Sequence, residues 1–435
     1  MSDGQEGTTS AWAWPGLVGG LLTDTPDRVE SLDDYAAGGG YAWRDVADVL
    51  ALLAQRPAVM ALQGRGGAAF PMWRKLEIVR AEAAKSGRPA VVVANGAEGE
   101  PLSVKDRYLM RHRPHVVLDG MALASRVVGA STAYVYVFDD RSVLAMERAL
   151  ADARAARIEM PQVRVVRAQA TFVAGEATAA VRAIDTGVAR PRDTPPHPSQ
   201  TGVGGAPTLV SNVETLARLA RAVQPLPPAR ESPVLVTLSG ASVASTVVEI
   251  PYGLPVVELV ERAARGDSAG RVALIGGFFG GMLPISASLR LSVESMAEHS
   301  GSLGCGSVLV LDAGVDPLPV ASAVAEFYAE NNAQQCRTCV QATKEIASVL
   351  KRGLGGSANV IPQLARWSDQ LPGRGACATP DGIALLLRSL LRHFPKQLTE
   401  HIDDSSRKAQ VDWRDLVVSV PIPRVESFVH GGGVA

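Results

Sequence analysis

Between residues 42 and 222 the chain alternates short Val- and Ala-rich runs with longer segments of helical spacing, and this alternation restricts the fold more than any other feature. Residues 45–55 have helical character, and the Gly-rich loop Gln63-Gly64-Arg65-Gly66-Gly67-Ala68 follows them. A helix is expected over 73–84, then a strand, Ala90-Val91-Val92-Val93-Ala94, that stops at Asn95. Helices over 114–128 and 142–156 alternate with strands over 133–138 and 163–166, and a further helix opens at Gly175-Glu176. A β–α–β order of this kind builds a largely parallel sheet between layers of helix. Such sheets hold ligands outside the carboxyl ends of their strands. The loops after Gln63 and after Ala94 lie at such ends.

The alternation closes with a Pro-rich stretch over 189–198, a Gly-rich one over 202–207 and a helix over 213–222. Connections that long inside a compact domain are functional or disordered. Pro225-Leu226-Pro227-Pro228 reads as a linker. Beyond it, strands over 234–238, 247–250, 272–275 and 308–311 surround a short helix at 254–264, which suggests a small β-grasp-like domain. Apolar residues then recur at helical spacing over 320–331, 339–352, 359–370 and 381–394, the pattern of a four-helix bundle. The expected division is a disordered lead over 1–41, an α/β domain over 42–228, a β-grasp domain over 229–314, a helical bundle over 315–404 and an extended tail over 405–435.

The 43 basic and 44 acidic residues nearly cancel and are not gathered into blocks, which argues against a nucleic-acid partner. No apolar run approaches the roughly 18 residues that would cross a bilayer, and the start MSDGQEGTTSAW lacks the apolar core of a signal peptide. The expectation is a soluble, cytoplasmic protein with no membrane span. Four cysteines, Cys305, Cys336, Cys339 and Cys377, include one CxxC pair; in a long intracellular chain that points to metal or redox chemistry rather than a disulfide framework.

The loop Gly64-Arg65-Gly66-Gly67 precedes a helix, where bare N–H groups and the helix dipole can hold a phosphate, with Arg65 and Lys75 adding positive charge. Alone, it is more simply a tight connection. Three further segments change the weighing. Gly64-Arg65-Gly66-Gly67-Ala68-Ala69-Phe70-Pro71 with Lys75 resembles the GRGGAGFP loop of the flavin-carrying, NADH-oxidising (51 kDa-type) subunit of respiratory complex I and of NAD-linked hydrogenases and formate dehydrogenases. Asn95-Gly96-Ala97-Glu98-Gly99-Glu100-Pro101 with Lys105-Asp106-Arg107 resembles that family's NADExEP…KDR segment. Phe172-Val173-Ala174-Gly175-Glu176-Ala177-Thr178 is similar to YxxGEET. Pro195-Pro196-His197-Pro198, Pro207-Thr208 and Ser211-Asn212-Val213-Glu214-Thr215-Leu216 are similar to PPFP…PT…NNVETL, and order and spacing are kept over residues 60–400.

The resemblance implies a Rossmann-like flavin domain with FMN held by Gly64, Arg65, Gly66, Lys75, Asn95, Glu98, Gly175, Asn212 and Thr215. Phe70 and Glu100 match positions that contact the nicotinamide nucleotide, NADH as substrate, whose hydride would pass to the flavin by stacking and orientation. Glu176 matches the first Glu of GEET and is the candidate catalytic residue; equally, it reads as a carboxylate stabilising a helix N-terminus. Several positions depart from the family: Ala97, Ala177, Thr194 and His197 replace Asp, Glu, Lys and Phe, and Ile78 stands where an aromatic is usual. Lost aromatics weaken a stacking platform by about 0.5–1.5 kcal/mol each, so flavin binding is better supported than NADH binding.

In the bundle, Glu330-Asn331-Asn332-Ala333-Gln334-Gln335-Cys336-Arg337-Thr338-Cys339 aligns with the family's ESCGxCxxCR, which carries three ligands of a [4Fe–4S] cluster, and Cys377 with the fourth. Ala333 takes the place of the first cysteine, leaving Cys336, Cys339 and Cys377. Three readings stay open: a [4Fe–4S] or [3Fe–4S] cluster with three Cys ligands, remnant thiols without iron, or structural zinc with a mixed donor set. Cys305, between two glycines, is expected to be a small buried residue. The function implied is an FMN-dependent NAD(P)H-oxidising electron-transfer protein that passes single electrons through the cluster to a ferredoxin or [2Fe–2S] partner subunit. The alternative is a degenerate, non-catalytic scaffold or assembly subunit.

Overall fold

The computed structural model describes residues 11–22, 25–224, 233–240, 243–263, 270–357, 359–403 and 411–417. The expected linker at Pro225–Pro228 and most of the expected tail lie outside these residues. Ten strands are present among them: β1 (Trp12–Ala13), β2 (Ala90–Gly96), β3 (Ala130–Val137), β4 (Gln162–Arg167), β5 (Thr208–Asn212), β6 (Val234–Gly240), β7 (Thr246–Ile250), β8 (Val272–Ile275), β9 (Met282–Pro284) and β10 (Ser307–Leu311).

Four of them form a wholly parallel sheet in the order β4-β3-β2-β5. Helices Met72–Ser86, Pro114–Val128, Asp140–Ala155 and Val213–Val223 pack against it, and its central strands carry Val92, Val93, Ala94, Val135 and Val137 with essentially no exposure. Those four helices share one apolar cluster with Val92, Ala94, Val135 and Val137, and the helix Ala177–Thr186 covers Val93 and Tyr136 on the other face, as a strand apolar on both faces requires. The register sets Asn95 beside Asn212, so the loop after β2 and the start of the helix Val213–Val223 leave the same carboxyl edge of the sheet. The Gly loop after Gln63, expected at a strand end, follows the short helix Pro57–Met60 instead.

The other six strands make a mixed sheet, β1-β7-β6-β10-β8-β9, with β1–β7 and β6–β10 parallel and the remaining pairs antiparallel. Residues 12–13, expected within a disordered lead, supply its edge strand beside β7. A two-residue strand is too short to show alternation, and here the pairing comes from the neighbour rather than from local pattern.

The C-terminal region is helical: Pro317–Asn331, Arg337–Leu354, Val360–Gln370 and Thr379–His393 are joined by the shorter Pro395–Asp403 and Trp413–Leu416. Leu318, Val324, Tyr328, Ile346, Leu350, Leu387 and Leu390 form its core together with Phe278 and Leu274 from the mixed sheet, so the bundle and that sheet share one apolar interior. Within the expected extended tail, Trp413–Leu416 is helical, and the Trp413 ring meets Phe327 edge-on at 5.0 Å between centroids. No helix among the described residues is long and apolar enough to cross a membrane.

Candidate functional site

At the carboxyl edge of the parallel sheet, the Gly loop, the segment after β2, the turn before the helix Ala177–Thr186 and the start of the helix Val213–Val223 come together. Asn95 donates through Nδ2 to the Gly175 carbonyl (2.8 Å), and its Oδ1 accepts from the Ala97 N–H (3.2 Å). Gly175 lies so close to the Ala97 carbonyl that a Cβ would fall 2.4 Å from its oxygen. Asn212 caps the helix Val213–Val223 by accepting from the Glu214 N–H (2.9 Å), while its Nδ2 donates to Asp106 (2.6 Å). The Arg65 N–H donates to the Thr215 hydroxyl (2.9 Å), and Gly66 passes over Asn212, where a Cβ would fall 3.3 Å from that of the asparagine. The Arg65 side chain points the other way, to the Pro233 carbonyl (3.3 Å) and over the Tyr252 ring. Arg65 therefore meets this edge through its backbone.

Lys75 is half-buried on the helix that follows the Gly loop, and its ammonium donates to the Val210 carbonyl of β5. No carboxylate pairs with it among the described residues, and desolvation pulls its pKa down to about 8. A cation held out of water without a counter-charge favours an arriving anion. With the glycine cradle at Gly66, this donor set fits the phosphate end of FMN.

Glu98 is buried and fully engaged. Its Oε1 accepts from Ser103 Oγ (2.6 Å) and the Asp106 N–H (3.2 Å), and its Oε2 from the Arg107 N–H (3.3 Å) and Nε (3.2 Å). It thereby caps the helix Lys105–His112. Lys105 in turn is buried between Asp106 (2.7 Å) and Glu214 (3.0 Å). Glu214 also pairs with Arg218 (3.3 Å), and Arg218 with Glu249 on β7. This buried charge network runs from the sheet edge into the mixed sheet; the KDR motif exposed one end of it, whereas Arg218 and Glu249 carried no local signal.

Glu100 packs against Gly277, and burial raises its carboxyl pKa to about 7. Phe70 is 44% exposed beside the Gly loop, a large aromatic offered to solvent. The Gly loop also borders a cavity of about 220 Å³, lined by Gly67, Ala68, Glu214 and the turn Leu303-Gly304-Cys305-Gly306 among others. Cys305, expected to be buried, is half-buried in this wall, and burial together with the Glu100 charge pushes its thiol up to about 12. His197 is exposed in the Pro-rich loop.

Glu176 caps the helix Ala177–Thr186, accepting from the N–H groups of Thr178 and Ala179 (both 2.9 Å). It also lies close enough to Cys377 for its charge to help raise that thiol's pKa, after burial as the larger cause. Cys377 lines a small cavity of about 10 Å³ with Cys336, Cys339, Ala333 and Gln335. Cys336 caps the helix Arg337–Leu354, Cys339 sits in its first turn, and Cys377 precedes the helix Thr379–His393. Two helix N-termini therefore meet the three thiols, but burial outweighs them and raises the pKa of Cys377 and, to about 12, of Cys339. Among the described residues no set of three His, Cys, Asp or Glu is spaced as a ready-made metal site. The donors, all sulfur and no histidine in the wall, fit an iron–sulfur cluster better than a mixed-ligand zinc.

A family model for the Nuo51 FMN-binding domain matches residues 58–221, and one for the NADH-ubiquinone oxidoreductase-F iron-sulfur binding region matches residues 319–401. The chain is 30% identical over 414 residues to an F-type subunit of the NADH-quinone oxidoreductase of Rhizobium meliloti (strain 1021), covering 88% of this chain and 96% of that one. It is 29% identical to the mitochondrial NADH dehydrogenase (ubiquinone) flavoprotein 1 of Dictyostelium discoideum, covering 78% and 77%. Among solved structures it is similar to NAD+-reducing [NiFe]-hydrogenase in the air-oxidized state, with a TM-score of 0.73, 27% identity, and 86% of this chain matched to 67% of that one. The chain belongs to the 51 kDa flavoprotein family of complex I and NAD-reducing hydrogenase, as a divergent member of it.

Proposed function

We propose that the chain is an FMN-carrying, NAD(P)H-oxidising subunit of a cytoplasmic electron-transfer complex, handing electrons through a three-thiolate iron–sulfur cluster to a ferredoxin or [2Fe–2S] partner subunit. The observation that carries this reading is the Gly175-Glu176 step. The Gly175 carbonyl accepts from Asn95 at the sheet edge, and the next residue's carboxylate reaches the environment of Cys377. One short segment thus joins the two candidate cofactor sites.

FMN would be held by Gly64, Arg65 through its backbone, Gly66, Lys75, Asn95, Gly175, Asn212 and Thr215, with Lys75 meeting the phosphate. Bound there, the flavin supplies hydride acceptance and one-electron release. Glu98 serves as a positioning residue: it fixes the segment from which Asn95 and Asp106 reach the site. The exposed Phe70 ring beside the Gly loop would offer a nicotinamide nucleotide its stacking surface, with Glu100 as the second expected contact. Glu176 holds the helix between the flavin and cluster sites. The mixed sheet, as a β-grasp unit, docks flavin domain and bundle together. Cys336, Cys339 and Cys377 would hold the cluster.

The test is an anaerobic absorption spectrum of the purified protein before and after NADH. Flavin bands that bleach, over a broad iron–sulfur shoulder, support the reading. Flavin reduced by dithionite but untouched by NADH overturns the donor assignment. A colourless protein favours a scaffold, a reading that draws on Ala333 and on alanine at 97 and 177 in place of acids.

A further inference from the structure

We propose that the cluster in the bundle has one iron corner that no residue of this chain ligates, open to solvent and exchangeable, taking a small exogenous thiolate in place of water. The inference rests on the proposed cluster. Three thiols and the methyl group of Ala333 wall the same cavity, so the donor set is one sulfur short where Ala333 stands. That corner is also its outward side: Ala333 is half-buried and Gln334 and Gln335 are exposed, whereas Cys339 on the inner wall is buried.

No neighbouring side chain is placed to replace the missing sulfur. Asn332 is buried, with its amide committed to the carbonyls of Tyr328 (3.2 Å) and Ala329 (3.1 Å) and to Thr343 (3.2 Å). The Gln334 amide donates to Asn332 Oδ1 (2.8 Å), and the Gln335 amide to the Pro191 carbonyl (2.7 Å), which fastens the Pro-rich loop across the cavity. Glu176 is fixed by its helix cap through Oε2. A neutral amide is in any case a poor ligand where soft thiolates are preferred. With alanine at 333, the fourth ligand in this proposal comes from outside the chain. The cavity wall is exposed at Gln334 and Gln335, so that corner lies toward solvent. A small thiol can reach it from the exposed Gln334 side, and a soft thiolate is the donor such iron prefers.

An iron without a protein ligand is the one lost on oxidation. Removal of one electron from a [4Fe–4S] cluster of charge 2+ gives a 3+ cluster, which releases Fe2+ and leaves a [3Fe–4S] cluster of charge 1+.

The experiment takes the whole protein, reconstituted anaerobically with iron and sulfide. Iron, labile sulfide and the electron paramagnetic resonance spectrum are measured before and after one equivalent of ferricyanide. Separately, the dithionite-reduced spectrum is recorded with and without β-mercaptoethanol. Iron should fall from about four to about three per chain and return with ferrous iron and reductant, and the thiol should change the reduced spectrum. Ala333→Cys should hold its iron and ignore the thiol; Ala333→Ser, with similar bulk, should behave as the parent. Iron that stays at about four together with a spectrum indifferent to thiol overturns the open corner and leaves the proposed electron path intact. FMN-loaded protein that takes up no iron even as Ala333→Cys overturns both.

Discussion

At the scale of single residues, Lys75 and Glu100 are two site side chains whose environment opposes their charge. Lys75 was legible in the sequence because a lysine eleven positions after Gly64 matches a known pattern; its lack of a carboxylate partner was not, since that depends on what β5 brings alongside. With its pKa drawn down to about 8, the free protein holds Lys75 protonated below that pH and progressively neutral above it. FMN affinity is therefore expected to be full at pH 7 and to weaken as pH rises through 8, read by flavin fluorescence quenching. Lys75→Met should weaken binding by roughly ten- to a hundredfold, the equivalent of a charge-assisted hydrogen bond of about 1.5–3 kcal/mol. An affinity independent of both pH and residue 75 would remove Lys75 from the phosphate site. Glu100 behaves in the opposite sense. Its carboxyl is raised from the ordinary glutamate range to about 7, so the folded state binds the extra proton and stability falls as pH climbs from about 4.5 through 7. Glu100→Gln should flatten that slope and melt higher than the parent at pH 8; equal melting curves at pH 5 and pH 8 for the parent would refute the assignment.

Among elements, the ones read correctly were those with enough length to show a period. Strands β2 to β4 and the long helices each carry several apolar residues in a run or at helical spacing, whereas β5, with polar residues at both ends, was not expected as a strand. β1, β9 and the helix Trp413–Leu416 have two to four residues and exist because a neighbour completes them. Glu98 shows the same limit in the site: the motif placed it beside the flavin, but only the fold reveals that both its oxygens serve the start of the helix Lys105–His112. Glu98→Ala is expected to lower stability by about 1–3 kcal/mol through the lost cap and the unpaired Arg107, measured as a shifted urea midpoint. The FMN affinity of the remaining folded protein should change far less than in Lys75→Met; a larger change would make Glu98 a direct flavin ligand. A second contact is purely steric. The helices Pro114–Val128 and Val213–Val223 cross at Gly120, where a Cβ would fall 1.9 Å from the Leu216 carbonyl oxygen. Gly120→Ala should cost about 1–3 kcal/mol or more by forcing the helices apart, and it would carry Asn212 and Thr215 away from the Gly loop. A variant with wild-type melting would show that the crossing relaxes without effect.

The molecule as a whole is tied together by charges that no sequence window contains. Glu249 on β7 is fully buried, pairs with Arg218, and accepts the N–H groups of Leu21 (2.7 Å) and Leu22 (2.9 Å) from the N-terminal segment. Through Arg218 and Glu214 the chain of contacts reaches Lys105 and Asp106, and Asp106 holds Asn212 at the flavin site. Four regions, distant in sequence, thus share one network in which each charge is compensated only while the others are present. Removing one member of a buried pair costs about 3–5 kcal/mol because its partner is left uncompensated. Glu249→Ala should therefore lower the urea midpoint by that order and expose residues 11–22 to limited proteolysis. It should also weaken FMN binding at a distance, because Arg218 and Glu214 rearrange around the lost charge and Asp106 loses its fixed position. Glu249→Gln keeps an acceptor for the two N–H groups while discarding the charge, so it separates anchoring from electrostatics: the N-terminal segment should stay protected while flavin affinity still falls. If both variants bind FMN as the parent does, the network is structural only, and the flavin edge is held by the parallel sheet alone.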